Sequence, residues 1–127
     1  MGRRVSKRPT DAELAILRVL WARGPSTVRE VAHELDREGA YTTILKLLQI
    51  MTDKGLVRRD ESPRTHVYDA ALSEGHTQQQ LVRDLLDRVF DGSATKLVMQ
   101  ALATKKASRK ELDEIRKLLD QHRGGRQ

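Results

Sequence analysis

A Ser/Thr-x-x-Glu tetrapeptide occurs three times in this chain, as Thr10-Asp11-Ala12-Glu13, Thr27-Val28-Arg29-Glu30 and Ser108-Arg109-Lys110-Glu111. Each is a helix-start signal. The hydroxyl accepts from the backbone N–H three residues on, and the Glu carboxylate accepts from the backbone N–H of the capping residue. Gly24-Pro25 stops the first helix so begun and Gly39 stops the second. A chain punctuated in this way folds into short helices, and apolar spacing says which face each one buries.

The first helix carries Leu14, Leu17, Leu20 and Trp21 at helical spacing, and the second carries Val28, Val31, Ala32 and Leu35. A third is predicted from about Thr42 to Asp53, with Ile44, Leu47, Leu48 and Met51 at i, i+3, i+4 and i+7 as its buried stripe. Thr42, Thr43, Lys46, Gln49 and Ile50 then face outward. Lys54-Gly55 closes the helix: Gly supplies a left-handed cap, and Lys complements the carbonyl end of the helix dipole.

Two strand-like runs follow, at 56–60 and 65–69, around the turn Glu61-Ser62-Pro63-Arg64. Three helices and a hairpin, in that order, make a winged helix-turn-helix, in which the hairpin packs beside the third helix. From Ser73 on, the chain is helical again. One segment bears Leu81, Val82, Leu85, Leu86, Val89 and Phe90. After a break at Gly92-Ser93, a second bears Ala94, Leu97, Val98, Ala101 and Leu102. The third capping box opens a last helix with Leu112, Ile115, Leu118 and Leu119, and Gly124-Gly125 is expected to end it. So short a tail cannot bury stripes this apolar by itself, which points to a second copy of the chain as their cover.

The predicted architecture is mainly α: a basic, flexible arm over 1–9, a winged helix over 10–70, a helical dimerisation region over 71–122 and a disordered tail over 123–127. The charge balance favours a polyanionic partner but is equally common in solvated helical proteins. The formal net charge is +6, and residues 1–68 hold 13 Lys/Arg against 9 Asp/Glu, compared with 11 against 9 in the remainder. Arg3, Arg4, Lys7 and Arg8 concentrate four of these cations in the arm. They read equally well as a solubilising segment or as phosphate contacts.

The third helix carries the functional reading. A major groove about 12 Å wide admits one α-helix, and about twelve residues of helix span roughly 18 Å, enough to cross several base-pair edges. Thr hydroxyls and methyls, the Lys46 ammonium and the Gln49 amide are side chains that read base edges, so Thr42, Thr43, Lys46 and Gln49 are the candidate base-reading set. Arg58, Arg59 and Arg64 around the hairpin, with Arg29 and Arg8, are the candidate phosphate contacts. An ordinary solvated helix face and charged strand edges that discourage aggregation are the competing explanations.

Several chemistries are closed. No cysteine is present, which excludes disulfides and thiolate metal sites. His33, His66, His76 and His122 are scattered with no partner at ligand spacing, and no phosphate loop, nucleophile elbow or paired-carboxylate motif occurs. The expectation is no cofactor, no metal and no catalysis. The N-terminus carries no apolar stretch, and no run reaches spanning length, so a cytoplasmic protein without membrane insertion is expected.

These segments together resemble the penicillinase-repressor family, the BlaI/MecI/CopY group. The resemblance rests on Trp21, Thr27-Val28-Arg29-Glu30-Val31, Ala40 through Leu48 with its Tyr41-Thr42-Thr43 run, Lys54-Gly55-Leu56-Val57, Arg64 through Tyr68, and Phe90-Asp91-Gly92-Ser93, and it covers residues 10 to about 120. It implies a homodimeric repressor on a palindromic operator, joined through the C-terminal helices. It also implies release by a membrane sensor-protease that cuts the tail, or by a metal in the copper-responsive branch. The chain departs from the family at three points. It lacks the cysteine-rich tail of the copper branch, it has Gln100-Ala101 where the β-lactam-responsive members are cut between Asn and Phe, and it differs at Lys46 and Ile50, so the resemblance carries no operator sequence. Two other readings stand beside the repressor: a winged-helix protein-interaction module, and a small-molecule-responsive regulator with a polar cavity in its tail.

Overall fold

In a computed structural model of the protein, residues 8–35 and 40–124 are described. The order is α1 (Asp11–Arg23), α2 (Val28–Glu34), α3 (Tyr41–Lys54), β1 (Val57–Asp60), β2 (Val67–Ala70), α4 (Glu74–Val89), α5 (Ala94–Thr104) and α6 (Arg109–Gly124). This is the expected mainly α winged helix followed by C-terminal helices. The remainder of the expected arm, the Gly39 stop and most of the expected tail lie outside the described residues.

All three capping boxes form. Glu13 N and Glu30 N each donate to the capping Thr hydroxyl at 3.2 Å, while Thr10 N and Thr27 N return bonds to the Glu carboxylates at 2.9 and 2.8 Å. At α6, Glu111 N donates to Ser108 Oγ at 3.1 Å and Ser108 N to Glu111 Oε1 at 3.0 Å. α1 ends at Gly24 and α3 at Gly55, whose φ of 80° is the left-handed cap expected of glycine there. α2 stops at Glu34, with Leu35 as its C-cap. The last helix runs through Gly124 rather than stopping before it.

The core sits between α1, α2, α3 and the hairpin and is built from Ile16, Leu17, Leu20, Val28, Val31, Ile44, Leu48, Met51, Val57 and Tyr68, among others. Two expectations about it need correction. The buried face of α1 is Glu13, Ile16, Leu17 and Leu20, so the stripe begins one residue earlier than apolar residues alone indicate, and Leu14 and Trp21 lie at its edge. Leu47, expected inside, is also only partly buried. The strands pair antiparallel with Val57 opposite Ala70, Arg58 opposite Asp69, Arg59 opposite Tyr68 and Asp60 opposite Val67. Ser26 adds an antiparallel bridge to Tyr68, with N–H to O distances of 2.9 and 2.8 Å, and so draws the α1–α2 connection onto the edge of the hairpin.

The chain divides into two compact units, Met1–Val82 and Arg83–Gln127. In the second, Asp91 and Gly92 take left-handed φ values of 51° and 78°, the Gly92 N–H reaches back to the Leu86 carbonyl, and Ser93 caps α5. This is why an Asp-Gly-Ser junction separates the two helices: a reversal through positive φ favours Gly and tolerates Asp. No residue of α5 is buried. Val89, Val98, Met99, Leu102, Leu112, Leu118 and Leu119 are exposed, the last two at 56% and 63%.

Candidate nucleic-acid interface

α3 is fixed from behind. Ile44, Leu48 and Met51 are at most 2% exposed, so the helix cannot roll without opening the core. Its opposite side presents Thr42, Thr43, Lys46, Gln49 and Ile50 to solvent, the outward row expected from the sequence. Tyr41, 43% exposed in the first turn, extends that row beyond the four candidate readers. The sequence signal for it is its position at the head of the Tyr-Thr-Thr run. The N-cap of the helix, Ala40, makes no side-chain capping bond.

An open groove of about 600 Å³ lies between α2 and the start of α3, lined by Arg23, Arg29, Glu30, Ala32, His33 and Tyr41. It brings Arg29, exposed on α2, to the same edge as the first turn of α3. Arg23 is engaged at the surface by the protein's own carboxylates, with ion pairs of 2.7 Å to Glu30 and 3.3 Å to Glu34 that link α1 to α2. Glu30 is held below the usual carboxylate range, chiefly by the backbone bond from Thr27 and then by Arg23.

The hairpin is less uniformly cationic than its three arginines suggest. Arg59 is held within the wing, with Nε and Nη2 at 3.0 and 2.9 Å from Glu61 Oε2. Its guanidinium is pushed above its ordinary value, first by a hydrogen bond with the Tyr68 side chain and then by Glu61. Asp60 accepts from the Ser62 N–H at 2.9 Å, which shapes the turn before Pro63 and lowers the Asp60 carboxyl. Arg58 reaches the Ala71 carbonyl only at 3.5 Å, and Arg64 is exposed with no ion pair among the described residues. Arg58 and Arg64 are therefore the wing cations left for an outside anion, whereas Arg59 stiffens the strand.

Arg8 is exposed at the start of the described chain, and its carbonyl accepts from Lys54 Nζ at 3.0 Å. Lys54, expected only to complement the end of α3, thus also holds the base of the arm. The expected tail residues divide by exposure. Leu81, Leu85, Leu86, Leu97 and Ile115 are half-buried, whereas Val82, Val89, Leu112, Leu118 and Leu119 are open to solvent. Gln100 and Ala101 are exposed within α5. No group of three or more His, Asp or Glu side chains suited to a metal ion occurs among the described residues.

Residues 9–121 match the penicillinase repressor family. The chain belongs to that family. It is 25% identical over 116 residues to the penicillinase repressor of Bacillus licheniformis, covering 90% of this chain and 91% of that one. It is 29% identical over 118 residues to the transcriptional regulator BlaI of Mycobacterium tuberculosis, covering 91% and 85%. It is 19% identical over 113 residues to the methicillin resistance regulatory protein MecI of Staphylococcus aureus, covering 87% and 92%. The family consists of transcriptional repressors, which are not enzymes. No helix among the described residues is long and apolar enough to cross a membrane.

Proposed function

We propose that this penicillinase-repressor family member binds DNA as a homodimer and represses transcription from a palindromic operator. The observation that carries the reading is the two-sided character of α3: Ile44, Leu48 and Met51 lock one face into the core while Thr42, Thr43, Lys46 and Gln49 stand on the other. Placed in the major groove, that row offers hydroxyl, ammonium and amide groups to base edges. Arg29 at the groove beside α3, Arg58 and Arg64 on the wing, and Arg8 contact phosphates, and Arg59 supports the wing. The exposed apolar side chains of α4, α5 and α6 meet those of a second copy, which places two reading helices on two half-sites.

A mobility shift on the chain's own promoter, run against random DNA over a range of salt, tests the reading. A complex that prefers the promoter and weakens steeply as salt rises is the expected result. Absence of any shift at low salt overturns it and leaves the protein-interaction reading.

Derepression follows a cut at Gln100–Ala101 by a membrane sensor-protease. That bond is exposed but lies inside α5, so the helix must unwind locally before a protease can take it. Mass analysis of the protein recovered from induced cells tests this, since a fragment ending at Gln100 is expected and an intact chain under full induction excludes it.

A further inference from the structure

Among the described residues from 8 to 70, the exposed large hydrophobic side chains are Tyr41 and Ile50, at 43% and 41%, and both lie on α3. Leu14, Val19, Trp21, Leu35, Leu45 and Leu47 all find at least partial cover against the core. Nothing local favours isoleucine on a solvated helix face, because a β-branched side chain has a lower helix propensity than Lys, Glu or Gln. Single exposed apolar residues are common on protein surfaces, so it is position that decides. Ile50 stands seven residues after Thr43 and four after Lys46, with Gln49 beside it. Residues at i, i+3 and i+7 are those with which a helix in the major groove meets base edges. Seven residues of helix cover about 10 Å, or about three base-pair steps. Beyond Ile50 the face turns acidic at the exposed Asp53, and Lys54 is taken up by Glu13. Ile50 is therefore the last member of the outward row, and the one member of it whose side chain can neither donate nor accept a hydrogen bond.

We propose that Ile50 is a specificity-determining residue that packs on the C5-methyl group of a thymine in the operator. This inference rests on α3 as the reading helix. The edges of the base pairs in the major groove carry N and O donors and acceptors, and the C5-methyl of thymine is the apolar group among them. Laid over a polar edge, a branched aliphatic side chain displaces water and returns no hydrogen bond, which is a net loss. Over thymine it removes apolar surface from water on both sides of the contact. A 5-methylcytosine carries the same methyl beside a different polar group. Lys46, one turn earlier on the same face, is donor-only, so it satisfies the O4 acceptor of thymine but not the N4 amino group of cytosine, and this makes thymine the source.

The test uses full-length protein and a site selected by the wild type from a random double-stranded library. Each thymine of that site is replaced in turn by uracil, which deletes the C5-methyl and keeps every hydrogen-bonding group. At one position the replacement is expected to weaken wild-type binding by about three- to fivefold, the effect of one buried methyl. Ile50→Ala is expected to bind the thymine and uracil duplexes equally at that position, whereas Ile50→Val, which keeps the branch, retains the preference. A merely structural role for Ile50 would change affinity without touching this comparison. A 5-methylcytosine–guanine pair placed at the same position is expected to bind wild type less tightly than thymine–adenine, and equal or tighter binding overturns thymine as the source. The proposal is overturned if no uracil replacement weakens the wild type, or if Ile50→Ala keeps the wild-type preference at every position. In that event α3 remains the reading helix as long as Thr43→Ala or Lys46→Ala loses discrimination. Should those two variants discriminate as the wild type does, the reading-helix assignment fails and the role of Ile50 fails with it.

Discussion

Lys54 Nζ lies 2.7 Å from Glu13 Oε1, and both side chains are nearly enclosed, at 10% and 3% exposure. The pair joins the last turn of the proposed reading helix to the first turn of α1, across 41 residues of sequence. Glu13 also accepts from the Thr10 N–H at 2.9 Å, and Lys54 donates to the Arg8 carbonyl at 3.0 Å, so the charges are hydrogen-bonded as well as paired. Removing one partner strands the other in a site it cannot solvate. Lys54→Met is expected to cost about 3 kcal/mol in urea denaturation, and Lys54→Met with Glu13→Gln to recover part of that loss. Additive losses in the double variant would show that the two residues act independently.

Acid sensitivity follows from the helix caps. The Glu30 and Glu111 carboxyls are both held below their ordinary value, chiefly by the backbone bonds from Thr27 and Ser108. The unfolded chain then binds protons more readily than the folded one. The stabilisation is complete above the ordinary carboxyl value of the unfolded chain and is lost as pH falls through the lowered folded values. Thermal unfolding followed from pH 7 downward should show a fall in the acid range that Glu30→Gln flattens. An unchanged profile in that variant would remove Glu30 from the account.

The core and the reading face of α3 separate by mutation. Leu48 is fully buried, so Leu48→Ala should cost about 2–5 kcal/mol through the cavity it leaves. Leu47, only partly buried, should cost less. Thr43→Ala and Lys46→Ala should leave circular dichroism unchanged yet narrow the gap between operator and random DNA, by about 1–3 kcal/mol for each base edge no longer read. Both retaining full discrimination at fixed salt would mean that another surface reads the operator.

Arg64 and Arg59 differ in what their loss should do. Arg64→Ala is expected to weaken specific and random DNA alike and to reduce the salt slope by about one, the signature of a single neutralised phosphate. Arg59→Ala frees Glu61 and the Tyr68 side chain and should lower the stability of the winged helix as well. Equal salt slopes for Arg64→Ala and wild type would take Arg64 off the backbone.

What can be read from the sequence is what depends on neighbours along the chain. Capping boxes use atoms three residues apart, and Ile44, Leu48 and Met51 of the α3 stripe follow from helical period, so both are visible without knowledge of the fold, whereas period alone also places Leu47 inside, where it is only partly buried. The buried face of α1 is misread from apolar residues because its first member is Glu13, a charge that looks solvated until Lys54 arrives from α3. The Ser26–Tyr68 bridge is a single residue with no period. The commitment of Arg59 to Glu61 and Tyr68 depends on strand register, which residue type does not reveal. The candidate reading row is legible in the sequence, but the division of the wing arginines into support and contact is not.

The dimer can be tested at a residue that a single chain does not need. Leu118 is 56% exposed on α6, so replacing it with Asp removes little apolar burial from one copy. In an interface between copies, the same change places a carboxylate against leucine side chains, where an unpaired charge is strongly disfavoured. Leu118→Asp is therefore expected to keep the helical content of the wild type while light scattering at micromolar concentration shows a shift from dimer to monomer. Operator affinity should fall with it by about 10²- to 10⁴-fold, because engagement of the second half-site is no longer intramolecular, whereas affinity for a single half-site should not change. A Leu118→Asp protein that remains dimeric would place the interface on another face of the tail, and a wild-type chain that is monomeric at that concentration would end the dimer proposal altogether.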